Sequence, residues 1–382
     1  MGKKHKKAKQ RESSAAETVH VITSLGMPEV RPLYPHPETG QAILTHSMLT
    51  TFRRCIKQSE FKYVHRLKPK RLGSPLKRGT WVHRLLEVDA KGGDWRKEHK
   101  RLSRKFNEMF DEEKDFYGDM PEEILRVMKA YFWHYKHDPW KYHEVELELT
   151  AELPNGVLLR IKFDGLIENQ WGLWLVDHKS HKTLPNTEYR LLDTQSPLYI
   201  WVAHQNGIPV NGFIWNYLKW KPPTVPKLVY ANSSHPRLSK TATETDYPTL
   251  RKALKDYGLD ASEYADRLAY YKSLRYAPGE PQNSPFFFRS VYEKDEALIG
   301  RVLKEAMRSA DRMNTYDFSD PDGVERTVGR HCQFACSYTD LCTMQLLGGN
   351  TRPLIRQNYK EGDPMDYYHD RVGDGDNKED NE

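Results

Sequence analysis

Residues 157–179 read VLLRIKFDGLIENQWGLWLVDHK, and this segment predicts a β-hairpin at the centre of the fold. Two apolar-rich runs flank a short loop at 169–172, as in two antiparallel strands joined by a turn. Antiparallel pairing across that loop sets Asp164 opposite Asp177. Opposed residues in such a ladder have Cβ atoms roughly 4.5–5.5 Å apart. We therefore expect two carboxylates side by side on neighbouring strands.

Adjacent carboxylates repel each other, so keeping both ionised costs free energy unless a cation neutralises them. Oxygen ligands at this spacing favour Mg²⁺ or Mn²⁺. Such an ion supplies an activated water and neutralises charge that develops on a phosphate. Lys179 lies two residues beyond Asp177 and projects from the same strand face, where it can orient the water or stabilise the transition state. The structural alternative is a charged pair at the solvated end of a hairpin.

Hydrophobic periodicity extends the hairpin into an α/β fold. Predicted strands lie at 143–152, 157–168, 173–179 and 212–220, and predicted helices at 47–64 (with Ser47 as N-cap), 78–90, 95–115, 121–137, 188–204, 248–273 and 293–313. The order of helix, three strands, helix and strand indicates a core with one crossover connection. The sequence has no G-x-x-x-x-G-K-[ST] loop, which excludes a helicase motor of the P-loop kind.

Four short motifs surround the carboxylates in a fixed order. They are Gly79-Thr80-Trp81-Val82-His83, Asp164-Gly165, Val176-Asp177-His178-Lys179 and Gln195-Ser196-Pro197-Leu198-Tyr199. The set resembles the RecB-like branch of the PD-(D/E)XK nuclease superfamily, with a helical G-T-x-x-H, an Asp, a D-x-K and a Q-x-x-x-Y. The resemblance implies a restriction-endonuclease-like core, in which helices flank a mixed central sheet, and metal-dependent cleavage of DNA.

The resemblance also implies a role for each residue. Asp164, Asp177, the backbone carbonyl of His178 and the side chain of His83 would hold the metal ion, and Lys179 would be the catalytic lysine. Gln195 and Tyr199 are one helical turn apart and would border the site and contact the nucleic acid. Taken singly, His83 on an amphipathic helix, and Gln195 and Tyr199 on theirs, are more often structural residues.

The cysteines form a second constellation. Cys332, Cys336 and Cys342 follow a C-x₃-C-x₅-C pattern, and Cys55 lies far earlier, on the predicted first helix. Four cysteines in a chain of cytosolic character favour a metal site over disulfides. The set resembles the iron–sulfur staple of AddB-type and CRISPR-associated RecB-like nucleases, which implies a [4Fe–4S] cluster. The first spacing is one residue longer than is common there, and Zn²⁺ or free thiols are the alternatives.

Charge is unevenly distributed along the chain, whose net charge is +6. The first 11 residues carry six basic side chains, and nine acidic residues fall within 361–382. A mildly basic body suits a polyanion, although two solvated tails on an ordinary domain explain the charge equally well. The sequence has no long apolar run and no apolar segment behind the N-terminal lysines, so we expect no membrane span, no signal peptide and a cytoplasmic location, or the host cytoplasm for a phage protein.

These observations predict a disordered basic tail at 1–20, a nuclease domain at 21–345 and an acidic tail at 346–382. Within the domain we expect a core at about 78–220, a helical insert at about 221–315 and an iron–sulfur segment at 330–345 that is joined to Cys55. The expected function is a DNA exonuclease in recombination, repair or phage DNA processing. It would act on single- or double-stranded ends, with a recombination or single-strand annealing protein as candidate partner. A structure-specific endonuclease and a non-catalytic nucleic-acid-binding protein are the alternatives.

Overall fold

The computed structural model describes residues 27, 35–36, 38–186, 192–239 and 244–363. The strands are β1 (Ile43–Thr45), β2 (Leu67–Pro69), β3 (Lys141–Glu152), β4 (Leu158–Asn169), β5 (Gly172–His181), β6 (Gly212–Lys219), β7 (Leu228–Val229), β8 (Arg237–Leu238), β9 (Phe287–Glu293) and β10 (Tyr359–Glu361). The helices are α1 (His46–Arg54), α2 (Ile56–Ser59), α3 (Ser74–Ala90), α4 (Trp95–Asn107), α5 (Asp111–Tyr117), α6 (Met120–His134), α7 (Gln195–Gln205), α8 (Tyr247–Asp256), α9 (Ala265–Ser273), α10 (Glu296–Thr315), α11 (Arg330–Phe334), α12 (Thr339–Leu346) and α13 (Arg352–Asn358). Within the described ranges, every helix is too short or too polar to span a bilayer.

The main sheet is mixed, as predicted. Its strand order is β1–β4–β5–β6–β9, with β3 also paired to β4. The pairs β1–β4 and β5–β6 are parallel, whereas β4–β5 and β6–β9 are antiparallel. Parallel neighbours need a crossover connection, and the predicted one between β5 and β6 contains α7.

The predicted hairpin register is confirmed. Gly165 pairs with Val176 and Glu168 pairs with Leu173. Asp164 and Asp177 are the next residues outward on their strands. Because residues that face each other across an antiparallel pair point to the same face, this register sets the two carboxylates side by side.

The chain folds as two compact units, and β3 and β4 each contribute to both. The first unit comprises the described parts of Met1–Leu72, Glu148–Ile161 and Gly300–Glu382. In this unit β10 pairs antiparallel with β2, so the two ends of the described chain share one small sheet. Its apolar cluster contains Phe61, Leu67, Tyr338, Leu341 and Tyr359.

The second unit comprises Gly73–Leu147 and the described parts of Lys162–Ile299. One apolar core of this unit joins helices α3, α4 and α6. Its buried members include Trp81, Leu85, Trp95, Phe106, Ile124 and Tyr131. This core holds α3, which carries His83, against the helices that follow it. It therefore fixes one side of the candidate site.

Several predicted helices have different boundaries in the structure, and the one expected at 248–273 is two helices, α8 and α9. The helix expected at 47–64 begins at His46, with Thr45 as its N-cap, and it is interrupted at Cys55, whose backbone is extended (φ −162°, ψ 111°). The helix expected at 95–115 is two helices, α4 and α5. The helix expected at 188–204 begins at Gln195, and 187–191 lie outside the described residues. Apolar periodicity alone does not locate such interruptions.

Among the described residues, periodicity did not indicate six strands: β1, β2, β7, β8, β9 and β10. The last two change the predicted organisation of the domain. Strand β9 lies inside the expected helical insert, yet it is paired with β6 in the main sheet from Phe287 to Glu293. Residues 352–361, expected in the acidic tail, form α13 and β10. Both strands depend on partners that are distant in sequence. The predicted basic tail at 1–20 and the tail from 364 onward lie outside the described residues.

Candidate active site

The two carboxylates of the hairpin are buried: Asp164 is 7% exposed and Asp177 is 6% exposed. The backbone N–H of His178 donates to Asp164 Oδ2 at 2.6 Å. On β5, Lys179 Nζ lies 2.7 Å from Asp177 Oδ2. Strand geometry therefore brings an Asp, a second Asp and a Lys together from a segment of 16 residues, Asp164 to Lys179.

The electrostatics of the pair are unequal. Burial alone would raise the pKa of Asp164, but the His83 imidazole and the His178 N–H lower it well below its usual value. Burial raises the pKa of Asp177, and the charge on Asp164 raises it further despite the opposing effect of Lys179. The surroundings of Asp164 therefore favour its ionised form. The positive charge near Asp177 does not fully offset its burial and the neighbouring carboxylate.

His83 reaches this pair from helix α3. Its Nδ1 lies 3.0 Å from Asp164 Oδ1. Gly79, the glycine of the G-T-x-x-H motif, lies next to Ser180 of β5, and an added Cβ at position 79 would lie 3.4 Å from Ser180 Oγ, which is an ordinary contact distance. Helix α3 therefore passes close to β5 one turn before His83.

Helix α7 contributes Gln195, whose Nε2 donates to Asp177 Oδ1 at 2.9 Å. Tyr199, one turn later, is 7% exposed, and its ring meets Phe213 edge-on at 6.0 Å. The structure therefore brings Gln195 into contact with a carboxylate and places the Tyr199 ring against the core. The predicted contacts of both residues with nucleic acid stay predictions.

The donor set fits a hard divalent cation. Two carboxylates raise the local negative charge, and an imidazole nitrogen is a common ligand beside them. The 3.0 Å separation of His83 Nδ1 and Asp164 Oδ1 is close to that of adjacent ligands in an octahedral shell, where Mg²⁺–ligand distances are about 2.0–2.1 Å. Among the described residues, no group of three or more His, Cys, Asp or Glu side chains is already arranged to hold a metal ion. The side chains would have to move to form a complete shell.

Sequence reasoning missed a buried polar cluster on the reverse face of β5. The Asn216 amide nitrogen donates to His178 Nδ1 at 2.7 Å and to the Tyr131 hydroxyl at 2.9 Å. Arg289 donates from Nε to Asn216 Oδ1 at 3.4 Å and from Nη2 to Asp138 Oδ2 at 2.6 Å. We call these five residues the reverse-face cluster. The one signal in the sequence was Asn216, a polar residue inside the apolar strand GFIWNYLK.

The four cysteines all belong to the first unit, and none of them forms a disulfide. Cys55 lies between α1 and α2 rather than on one continuous helix. Burial raises the pKa of the Cys336 thiol, and Cys332 and Cys55 raise it further by electrostatic interaction. Burial lowers the pKa of Lys57, which lies two residues from Cys55. Cys342, on α12, partly opposes that shift by electrostatic interaction. The fold therefore brings the distant N-terminal cysteine into the neighbourhood of the C-terminal three.

Comparison with known proteins agrees with this geometry. The sequence matches the PD-(D/E)XK nuclease superfamily over residues 43–343. The chain therefore belongs to the PD-(D/E)XK nuclease superfamily.

Two solved structures illustrate how far the likeness extends. A candidate exonuclease from Eubacterium rectale has 14% sequence identity and a TM-score of 0.32, over 77% of this chain and 93% of that one. The protein SSO0001 has 12% identity and a TM-score of 0.23, over 65% of this chain and 81% of that one. No curated protein matches the sequence.

Proposed function

We propose that this protein is a divalent-metal-dependent deoxyribonuclease that acts as an exonuclease. The observation that carries the proposal is the buried pair of Asp164 and Asp177, with Lys179 at 2.7 Å from the second carboxylate. Membership of the PD-(D/E)XK nuclease superfamily supports the interpretation of this constellation as the active site. The exonuclease assignment rests on the resemblance to the RecB-like branch.

Each residue has a defined task in this proposal. Asp164, Asp177, the His178 carbonyl and His83 hold Mg²⁺ or Mn²⁺, which supplies an activated water and neutralises charge on the phosphate. Gln195 fixes the orientation of Asp177 through its 2.9 Å hydrogen bond. Lys179 stabilises the charge that develops in the transition state or orients the attacking water.

The decisive experiment is digestion of end-labelled linear DNA and covalently closed circular DNA, each single- and double-stranded, with Mg²⁺, Mn²⁺ or a chelator. We expect metal-dependent loss of linear DNA and intact circles. Cleaved circles would assign an endonuclease. Tight binding without cleavage of any substrate would assign a non-catalytic nucleic-acid-binding protein.

We also propose that Cys55, Cys332, Cys336 and Cys342 hold a [4Fe–4S] cluster that joins the two ends of the domain. The electrostatic proximity of Cys55 and Cys332 to Cys336 supports this proposal. Thiols that are close but not yet arranged as a shell are common where metal binding completes folding. A role in recombination, repair or phage DNA processing, with a recombination or annealing protein as partner, rests on the resemblance alone.

Anaerobically purified protein should be brown and should contain iron and acid-labile sulfide. Cys55→Ser should lose the colour and lower the melting temperature, because one lost ligand releases both ends of the chain. Zinc in place of iron would keep the connection but overturn the cluster. An unchanged melting temperature in the colourless variant would overturn the connection itself.

A further inference from the structure

Helix α4 is unusually basic for a helix packed into a core. Its sequence, WRKEHKRLSRKFN, has one acidic residue, Glu98, among six lysines and arginines. The apolar face is used for packing, since Trp95, His99 and Phe106 are buried. The charged face of such a helix is ordinarily just exposed to solvent. The arrangement of its charges therefore decides whether it is also a candidate binding surface.

The one acidic residue of α4, Glu98, is already paired with two arginines of the protein. Glu98 accepts two hydrogen bonds from Arg101, at 2.8 Å each, and one from Arg84 of α3 at 2.9 Å. These contacts, with Arg101 the largest, lower the pKa of Glu98 to about 2. Glu98 is therefore unable to neutralise the other cations of the helix.

Five of those six cations are exposed, and three of the five, Lys97, Lys100 and Arg104, border the same cleft. Within the part of the chain that the structure describes, no acidic side chain forms an ion pair with any of these three. They line one open cleft of about 740 Å³, together with Ser103, Asn107 and one acid, Glu122. We call these three cations the α4 row.

The spacing of the α4 row is regular. Positions i, i+3 and i+7 lie on one face of a helix, and seven residues at 1.5 Å each cover about 10 Å. Phosphates of one DNA strand recur about every 3.4 Å along the helix axis, so the row can face about three of them. Hydroxyl and amide groups such as those of Ser103 and Asn107 are common further contacts to phosphate oxygens.

The α4 row is also connected to the candidate active site through α3. The Arg84–Glu98 contact and the ring contact between Trp81 and His99, at 5.6 Å between centroids, attach α4 to the helix that carries His83. A polyanion held on the row is thereby held by an element that is fixed relative to the carboxylates.

We propose that Lys97, Lys100 and Arg104 form a binding surface for the phosphate backbone of the DNA substrate, beyond the residues that carry out cleavage. This proposal rests on the proposed nuclease function. Because the contacts are to phosphates, they add affinity and salt dependence without sequence preference.

The test measures binding in an Asp177→Asn background, so that the DNA stays intact. The variant is Lys97→Gln/Lys100→Gln/Arg104→Gln. The matched control is Arg251→Gln/Lys252→Gln/Lys255→Gln on α8, which removes the same number of exposed lysines and arginines from another helix. Dissociation constants for single-stranded and duplex DNA are measured between 50 and 200 mM salt, where counterion release dominates. Melting temperatures establish that each variant is folded.

The plot of log affinity against log salt has a negative slope. In the α4 variant with duplex DNA, we expect the magnitude of this slope to decrease by about 2–3, since each lost phosphate contact contributes about 0.9. The decrease should be somewhat smaller with single strands. Lys97→Arg/Lys100→Arg should keep the parental slope. Equal slopes in the α4 and α8 variants would overturn the proposal while leaving the nuclease intact. A parental protein without DNA affinity would overturn the proposed function as well. Loss of binding to labelled poly-glutamate, with DNA binding unchanged, would assign the α4 row to an acidic protein instead.

Discussion

The two faces of strand β5 carry polar clusters of opposite character. On one face, Asp164 and Asp177 lie together, and their mutual repulsion and burial raise the pKa of Asp177. On the other face, the charges of the reverse-face cluster are matched, because Arg289 pairs with Asp138 at 2.6 Å and is stacked over Trp140 at 3.4 Å. In the first arrangement two like charges are adjacent, and in the second two opposite charges are paired.

This difference separates function from support. A buried pair of opposite charges that is joined to further hydrogen bonds adds rigidity to a core. A buried pair of like charges costs stability unless something else binds there. Under the proposed function, the same strand provides the reactive groups on one face and a supporting framework on the other. His178 takes part in both, through its backbone N–H and its side chain.

The largest expected effect is at Asp177. Asp177→Asn should reduce cleavage by about a thousandfold or more, because metal binding provides several kcal/mol of transition-state stabilisation. The same change should leave the metal-free protein as stable as before or more stable, since it removes the repulsion. Cleavage rates and melting temperatures measure both effects.

Glu168→Gln provides the control, because Glu168 is a carboxylate of the same hairpin that is paired with His143 at 2.9 Å, away from the Asp pair. It should cleave at the parental rate. If Asp177→Asn cleaved normally while folded, the contrast between the two faces would have no functional meaning.

The second effect is at Lys179, which shares the reactive face with Asp177. Lys179→Ala should lower kcat by about 10²–10³, as expected when one group that stabilises the transition state is removed, with little change in DNA affinity. Single-turnover rates and binding measured with Ca²⁺ separate the two quantities. A variant that lost affinity alone would show that Lys179 is only a phosphate contact.

The reactive face could be predicted from sequence because its residues are local. Asp164, Asp177 and Lys179 lie on one hairpin, and a period of two with a short loop fixes their register. His83 and Gln195 needed the resemblance to a known superfamily, since nothing in periodicity sets the distance from α3 or α7 to β5.

The reverse face could not be predicted, because its members come from distant segments. Arg289 lies on β9, inside a region expected to be a helical insert, and it meets Asp138 and Asn216 only through sheet pairing. In FFRSVYE, polar and apolar residues do not alternate cleanly, so the strand was hidden. Long-range pairing decided both this strand and β10.

The third effect concerns this cluster. Arg289→Met should destabilise the protein by about 3–5 kcal/mol, because it leaves a charged Asp138 without its partner. Arg289→Met/Asp138→Asn should recover much of that loss. Denaturant unfolding measures both variants. Additive losses in the double variant would show that the two residues are not coupled.

The smallest effect is a pH dependence next to the reverse-face cluster. Burial, with the nearby Arg289 and Arg275, lowers the pKa of His134 to about 3. An unfolded histidine titrates near its ordinary value of about 6.5, so between these two values the unfolded chain binds a proton that the folded chain does not. Stability should therefore be intact above about pH 6.5 and should fall as the pH is lowered toward 3.

His134→Phe keeps a ring against Phe287, whose centroid is 5.3 Å away, and removes the titrating group. The free energy of unfolding of the variant is compared with that of the parent at pH 7.5 and at pH 4. The difference in favour of the variant should be larger at pH 4 by up to about 3 kcal/mol. His137→Gln, at an exposed position on the same segment, should show no such pH-dependent gain. Equal pH profiles for His134→Phe and the parent would mean that a proton can enter this side of the sheet at little cost. The reverse face would then tolerate unmatched charge as the reactive face does, and the contrast between them would fail.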